Sequence, residues 1–326
     1  MSETTYSINQ IAVVTGGQLI LNCPGQSEIR NLLTDSRRVL VAESALFFAI
    51  KGERHDGHKF IADLFNQGVR NFIVSEFTDE FKDLKANFVV VDEALKAMQQ
   101  LTAHHRLNFS YNVIGITGSN GKTIVKEWLY QLLRADLNIV RSPKSYNSQI
   151  GVPLSVWEMQ EEHQLGIFEA GISMPGEMKK LEAIIHPTIG IFTNIGSAHD
   201  ENFKSEAEKV HEKLELFSGV KTLIYNKDYT TIHESIATFP FREKDIQIFT
   251  CSRKSRADLQ VGRVTKSNDD TEIQAVYKNE FINITIPFTD DASIENAIHC
   301  WSLMLVMGFD QEVIMERMHM LSPVAM

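Results

Sequence analysis

Residues 113–123, which read Val-Ile-Gly-Ile-Thr-Gly-Ser-Asn-Gly-Lys-Thr, constrain the fold more than any other part of the chain. A short apolar segment that leads into a glycine-rich turn and then into a helical pattern is typical of a phosphate-binding loop (P-loop). The glycines let backbone N–H groups surround an anion, the lysine supplies a positive charge, and the threonine offers a hydroxyl to Mg²⁺. We therefore predict that a nucleotide binds at Thr117, Gly118, Ser119, Asn120, Gly121, Lys122 and Thr123.

The loop is more compact than the common P-loop, which would place a glycine at the position of Ile116. The simplest alternative is a Gly-Asn turn that precedes Lys-Thr by chance. The apolar segment before the loop and the helical pattern after it favour the phosphate-binding interpretation.

Length and composition describe a globular chain with room for two domains. The 326 residues are 43% hydrophobic and 23% charged, and the formal net charge is −10. A net negative charge argues against a nucleic-acid-binding surface, because affinity for a polyanion comes from clustered lysine and arginine. The N-terminus lacks a signal pattern and no apolar run is long enough for a membrane helix, so we expect a cytoplasmic protein without membrane insertion. Cys23, Cys251 and Cys300 have no metal-ligand spacing.

The sequence predicts two α/β domains, at residues 1–108 and 109–326. In the first, strands are predicted at residues 18–21, 46–50, 71–74 and 88–91, and helices follow Ser7 and cover residues 58–66 and 92–106. In the second, strands and helices alternate as in a mostly parallel sheet. The predicted strands are 113–116, 138–140, 165–168, 189–192 and 222–225, with an antiparallel edge at 272–277 and 281–286, and the predicted helices are 123–134, 176–185, 205–217, 293–307 and 311–320.

Polar residues follow two of the predicted strands directly. Glu169 comes after strand 165–168, and Thr193 and Asn194 come after strand 189–192, with His199 just beyond. Ligands of parallel sheets bind at the carboxyl ends of the strands. If these strands neighbour the P-loop strand, Glu169 and His199 would face the terminal phosphates and could bind Mg²⁺. Taken singly, Glu169 could instead cap a helix and His199 could be an ordinary histidine.

Two further segments gain meaning only from their context. Residues 209–217 form a mixed-charge amphipathic pattern, which on its own favours a solvated helix face. Residues Asp35-Ser36-Arg37 fit an Asx turn with a solvated arginine, although an arginine fork also suits a diphosphate.

Four motifs in series resemble the central domain of the Mur ligases, the ATP-dependent amide-forming enzymes of peptidoglycan precursor synthesis. They are Thr117-Gly-Ser-Asn-Gly-Lys-Thr123, Glu169-Ala-Gly-Ile, Thr193-Asn-Ile-Gly-Ser-Ala-His199 and Glu212-Lys-Leu-Glu-Leu-Phe217. Val125-Lys-Glu127 and Tyr146-Asn-Ser-Gln-Ile-Gly-Val-Pro-Leu154 resemble the MurF type, which joins D-Ala-D-Ala to UDP-MurNAc-tripeptide. Thr34-Asp-Ser-Arg37 and residues 47–58 resemble its UDP-sugar-binding segments.

The resemblance implies a role for each matching residue. Lys122 would hold the β- and γ-phosphates of ATP, and two Mg²⁺ ions would be bound by Thr123, Glu169 and His199. Lys213 matches a lysine that becomes carbamylated and then lies at the metal site, and Lys122, Glu169, His199 and Lys213 would form the catalytic set. Asn296 matches an asparagine near the adenine, although Ser293 stands where a second asparagine is frequent. Ser36, Arg37 and Lys51 would contact the uridine diphosphate, and Asn147 would lie near the reacting groups.

The family also implies a third, C-terminal ligase domain. Because the sequence stops at Ser322-Pro-Val-Ala-Met326, we expect the first two domains of a longer protein, with little or no activity of their own. Some similar proteins are fused to an alanine racemase, and the parent protein could be one of them. The alternatives are a Mur ligase that adds the third peptide residue, a folylpolyglutamate synthetase, a P-loop kinase or regulatory ATPase, and a binding module whose metal site has decayed.

Overall fold

The computed structural model describes residues 4–23, 28–39, 41–52, 55–196, 200–243 and 245–324. The chain divides into two units, one of Met1–Phe109 with Val156–Glu162 and one of Ser110–Ser155 with His163–Met326. Residues 156–162, which lie within the predicted second domain, therefore pack with the first unit. Trp157 accounts for this, because its indole N–H donates to Arg30 O at 2.7 Å and its ring lies 5.2 Å from that of Tyr6 and 4.6 Å from that of His105.

The first unit is a sheet with the described strand order β1-β5-β4-β3-β2, in which β1 is antiparallel to β5 and the other pairs are parallel. Stacked rings of Phe72 and Phe88, 5.3 Å apart, lie in its core. Its first helix follows Ser7, as the sequence predicts; Ser7 and Gln10 form a capping box, and Gly16 caps the other end with φ +66°. The elements are α1 Ile8–Thr15, β1 Gln18–Leu21, β2 Asn31–Leu33, β3 Ala45–Phe48, α2 Ile61–Asn66, β4 Asn71–Val74, α3 Asp79–Lys82, β5 Asn87–Val90 and α4 Ala94–Arg106.

The second unit is a long sheet with the described strand order β14-β13-β12-β11-β10-β9-β6-β8-β7. The strands from β7 to β12 in this order are parallel, and β13 and β14 form an antiparallel edge. The elements are β6 Asn112–Thr117, α5 Lys122–Leu133, β7 Ile139–Arg141, α6 Gly151–Trp157, β8 Leu165–Glu169, α7 Glu177–Ile185, β9 Ile189–Phe192, α8 Glu206–Leu214, β10 Thr222–Asn226, α9 Thr230–Thr238, β11 Gln247–Ser252, β12 Leu259–Lys266, β13 Thr271–Tyr277, β14 Glu280–Ile286, α10 Asp291–Val306 and α11 Gln311–His319.

The predicted fold class, a small α/β domain followed by a mostly parallel α/β domain with a P-loop, is confirmed. The sequence did not predict β2, β11, β12, α3, α6 or α9, whose apolar runs are short or interrupted by polar residues. β6, the strand before the P-loop, pairs with β8 on one side and β9 on the other, which is the arrangement that the site hypothesis required. In the described part of the chain, every helix is too short or too polar to cross a bilayer.

Candidate functional site

The P-loop joins β6 to α5 and depends on two glycines. Gly118 has φ +151° and Gly121 has φ +82°, both in the region that L side chains rarely adopt. A Cβ atom at Gly118 would collide with Oγ1 of Thr193, and one at Gly121 would collide with Oδ1 of Asn296. The loop therefore needs glycine at both positions for two independent reasons, backbone conformation and close packing.

The residues after β9 hold the loop in place. Ser119 N donates to Asn194 O and Asn120 N donates to Asn194 Oδ1, both at 2.9 Å. The Thr193 hydroxyl donates to Asn120 O at 2.6 Å. The residue pair Thr193-Asn194, singled out in the sequence because it follows a strand, thus fixes the loop geometry.

Lys122 and the start of α5 provide the positive end of the site. The N-cap is Gly121, which has no side chain to accept from the first N–H groups of the helix, so these groups are suited to an anion. The Lys122 ammonium donates to Gly118 O at 2.8 Å and to Ser119 O at 3.3 Å. Burial lowers the pKa of Lys122, and the nearby Glu169 opposes that shift. A phosphate would give this ammonium a better partner than two carbonyls.

Thr123 and Glu169 form a pair of oxygen ligands beside the loop. The Thr123 hydroxyl lies 3.2 Å from Oε1 and 3.0 Å from Oε2 of Glu169, which is fully buried. Asn147 Nδ2 lies 3.5 Å from Oε2, so this predicted substrate residue is at the same place. A hydroxyl and one carboxylate fit Mg²⁺, which completes its shell with phosphate oxygens and water. Within the described ranges, no cluster of three or more His, Cys, Asp or Glu could hold a metal, and His199 lies outside those ranges.

Lys213 lies on α8 and points its ammonium at the P-loop. It is 5% exposed, and its Nζ lies 3.4 Å from Gly118 O. Burial is the main cause that lowers the pKa of Lys213 to about 7, and the charges of Lys122 and Lys209 add to the shift while Glu212 opposes it. The amphipathic pattern of this helix alone favoured a solvated face, but the structure buries both Lys209 and Lys213.

The low pKa of Lys213 predicts a pH dependence of stability. Folding disfavours the protonated amine, so unfolding takes up a proton between pH 7 and the ordinary lysine pKa of about 10.4. The contribution of Lys213 to the free energy of unfolding is therefore smallest at and below pH 7. It rises above pH 7, by up to about 1.4 kcal/mol per pH unit. In CO₂-free buffer, urea unfolding should show that the free energy of unfolding of the wild type increases relative to that of Lys213→Met between pH 7 and 10. A constant difference would contradict the prediction.

Helix α10 contributes two residues that contact the loop region. Asn296, predicted to lie near the adenine, is buried against Gly121. His299 was not predicted from the sequence. Its Nε2 donates to Thr193 O at 2.8 Å, and its buried Nδ1 has no hydrogen-bond partner among the described residues. Burial lowers the pKa of His299, consistent with a neutral ring. Its spacing of three residues from Asn296 on one helix face is the signal that could have identified it.

The predicted uridine diphosphate residues lie at the carboxyl ends of the parallel strands of the first unit. Ser36 and Arg37 follow β2 in a short 3₁₀ turn, and Lys51 follows β3. The Arg37 guanidinium forms a two-point ion pair with Asp35, at 2.9 and 2.8 Å, and holds the pKa of Asp35 at about 2. Lys51 pairs with Glu76 at 3.0 Å. Arg37 is exposed, so the Asx turn with a solvated arginine is present in this structure.

Comparison with known proteins gives the family. The model of the Mur ligase middle domain matches residues 116–304, and that of the Mur ligase family catalytic domain matches residues 28–106. UDP-N-acetylmuramoyl-tripeptide–D-alanyl-D-alanine ligase of Bacillus subtilis is 29% identical over 283 residues, which are 85% of this chain and 60% of that protein. The enzyme of the same name from Buchnera aphidicola (from Acyrthosiphon pisum) is 29% identical over 299 residues, 90% of this chain and 63% of its own length.

Solved structures show the same fold. MurF from Acinetobacter baumannii has a TM-score of 0.86 and 24% identity, covering 99% of this chain and 70% of that one. A MurF ligase from Thermotoga maritima in complex with ADP has a TM-score of 0.78 and 22% identity, covering 90% of this chain and 66% of that one. The chain thus spans about 60% of the length of the first curated relatives. Its fold, P-loop and matching family models identify this chain as a member of the Mur ligase family.

Proposed function

We propose that the protein is the ATP-dependent ligase that joins D-Ala-D-Ala to UDP-MurNAc-tripeptide in the cytoplasm. The observation that carries the proposal is the Thr123–Glu169 pair beside Lys122 and the α5 N-terminus, in a chain whose relatives bear the name of that reaction. The kinase alternative would make Lys213 an ordinary helix lysine, whereas its ammonium is buried beside Gly118, so that alternative is not favoured.

The chemistry concentrates negative charge at the P-loop. The terminal carboxylate of the tripeptide attacks the γ-phosphorus of ATP, the bond to the β-phosphate oxygen breaks, and ADP leaves. The amine of D-Ala-D-Ala then attacks the acyl carbon, phosphate leaves with the electron pair of its C–O bond, and the amine loses a proton. Lys122 and the N–H groups of α5 would stabilise the transferring phosphoryl group. Two Mg²⁺ ions would neutralise phosphate charge and would be held by Thr123, Glu169 and His199.

Lys213 would act as a carbamate. Its neutral amine attacks CO₂, an N–C bond forms, one C–O electron pair moves to oxygen, and a proton leaves to water. A pKa of about 7 makes about half of the amine neutral at pH 7, against about one in 2,500 for an ordinary lysine. The product is an anion, which would remove the repulsion among Lys122, Lys209 and Lys213 and could approach Mg²⁺.

The remaining predicted residues would bind the parts of the substrate and the nucleotide. Ser36, Arg37 and Lys51 would contact the uridine diphosphate, with Arg37 released from Asp35 to bind the diphosphate in the same two-point manner. Asn147 would contact the reacting groups. Asn296, which lies against Gly121, would contact the nucleotide. A fused alanine racemase in the parent protein stays a prediction.

A substrate panel tests the proposal. Phosphate release and amide product are measured with ATP and Mg²⁺ for three substrate pairs. The pairs are UDP-MurNAc-tripeptide with D-Ala-D-Ala, UDP-MurNAc-dipeptide with a diamino acid, and folate with glutamate. The assay is run on this chain and on a version extended to the length of its relatives. In the longer version, we expect amide product with UDP-MurNAc-tripeptide and D-Ala-D-Ala and with neither of the other two pairs. Product from the dipeptide or folate would identify one of the other ligases, and phosphorylation of a hydroxyl acceptor without amide formation would identify a kinase.

A further inference from the structure

Lys126, one helical turn after the P-loop, is buried without any exposed surface. It lies on α5, so its spacing of three residues from Thr123 places both on one face of the helix. Its ammonium donates to Ser142 O at 2.7 Å, to Lys144 O and to Glu169 Oε1 at 3.0 Å. An ammonium has three N–H groups, so these partners use all of them. Lys126 therefore has no donor left for a phosphate.

The partners of Lys126 show which part of the site it controls. Glu169 is a buried carboxylate, and such a group is stable only when it is paired and hydrogen-bonded. Lys126 binds Oε1, whereas Thr123 makes its shorter contact, 3.0 Å, with Oε2. The Thr123 hydroxyl contacts both oxygens of Glu169, but Lys126 holds Oε1, which would leave Oε2 to bind Mg²⁺ together with that hydroxyl.

Lys126 also belongs to a row of alternating charges. Its ammonium lies 3.2 Å from Glu127 Oε1, and Glu127 Oε2 accepts from Arg141 Nε at 3.1 Å. The Arg141 guanidinium lies 3.5 Å from the centre of the Tyr130 ring. The row runs from partly exposed Arg141 and Glu127 to fully buried Lys126 and Glu169. The Lys126 ammonium therefore has a carboxylate on each side, Glu127 toward the exposed end of the row and Glu169 at the buried end.

We propose that Lys126 is a positioning residue for divalent-cation binding: it holds Glu169 in place so that Mg²⁺ is bound together with the nucleotide. The proposal rests on the proposed nucleotide function. Outer partners of metal-binding carboxylates orient their ligands, and their loss typically weakens metal affinity about 10- to 100-fold. A lysine that merely tied α5 to residues 142–144 would affect folding but not the dependence of nucleotide binding on Mg²⁺.

The test is ATP binding to the whole chain by isothermal titration calorimetry, with Mg²⁺ and with EDTA. The dissociation constant in EDTA divided by the dissociation constant in Mg²⁺ measures how strongly Mg²⁺ supports ATP binding. Lys126→Met keeps the length of the side chain, and Lys126→Gln keeps a polar N–H donor. Both variants are expected to lower this ratio about tenfold or more, while the dissociation constant of ATP in EDTA changes little. As a control, Lys122→Met should weaken binding in both conditions.

Each outcome has one meaning. If a folded Lys126→Met or Lys126→Gln variant keeps the wild-type ratio, or weakens binding equally with and without Mg²⁺, the positioning role is overturned. If neither neutral variant folds, Lys126→Arg decides, because its nitrogens cannot occupy the position of Nζ: a reduced ratio supports the role and an unchanged one overturns it. Wild type that binds ATP without any effect of Mg²⁺, or not at all, contradicts the proposed function instead.

Discussion

Replacing Gly121 by alanine is expected to destabilise the protein by about 2–5 kcal/mol and to abolish measurable ATP binding. About 1–2 kcal/mol comes from placing an L side chain at φ +82°, and about 1–3 kcal/mol from overpacking, because the new methyl group would collide with Asn296 Oδ1. The displaced loop would also misdirect the N–H groups that receive the phosphate. Urea unfolding measures the first effect and calorimetric titration with ATP the second.

Gly176 provides a matched control. It also has φ +82° and also precedes a helix, α7, but a Cβ atom there would meet nothing within 4 Å. Gly176→Ala should therefore show the backbone cost alone and leave ATP binding intact. Adding Asn296→Ala to Gly121→Ala should recover part of the lost stability, because it removes the collision. Equal costs for the two glycine replacements would show that the contact with Asn296 is unimportant.

Much of the nucleotide site could be predicted because its signals are local. Glycines at fixed positions, an apolar strand before them and Lys-Thr after them specify a P-loop within a dozen residues. Glu169 and the Thr193-Asn194 pair were found because parallel strands direct the residues after them to one edge of the sheet. The pairing of β6 with both β8 and β9 then brought these residues together.

The rest of the site depends on contacts between distant segments. Lys126 stands in the motif Val125-Lys-Glu127, yet nothing local shows that this lysine will be buried against Ser142 and Glu169. His299 lies in an apolar helix, and only the fold brings it to Thr193. The same applies to Trp157, which joins the first unit through contacts with Arg30, Tyr6 and His105.

Lys213→Ala is expected to remove a carbamate signal and, in a version of the protein that completes turnover, to lower amide formation about 100-fold. The measurement is ¹³C NMR of the chain in ¹³C-bicarbonate, as the difference between wild type and variant. Only the neutral amine reacts with CO₂, and burial holds the pKa of Lys213 at about 7. The wild-type signal should therefore increase as the pH rises from 6 to 8.

Lys209 is the matched control for this prediction, since it lies one turn earlier on α8 and is equally buried. Its ammonium donates to Gly196 O, and its charge helps to lower the pKa of Lys213. Lys209→Ala should therefore keep the carbamate signal but shift its appearance to higher pH, whereas Lys213→Ala should lose it at every pH. A signal that persists without Lys213, or that is lost equally without Lys209, would assign the carbamate elsewhere. If wild type gives no signal at pH 8 in saturating bicarbonate, Lys213 acts as an amine, whose positive charge the phosphates of a bound nucleotide would stabilise.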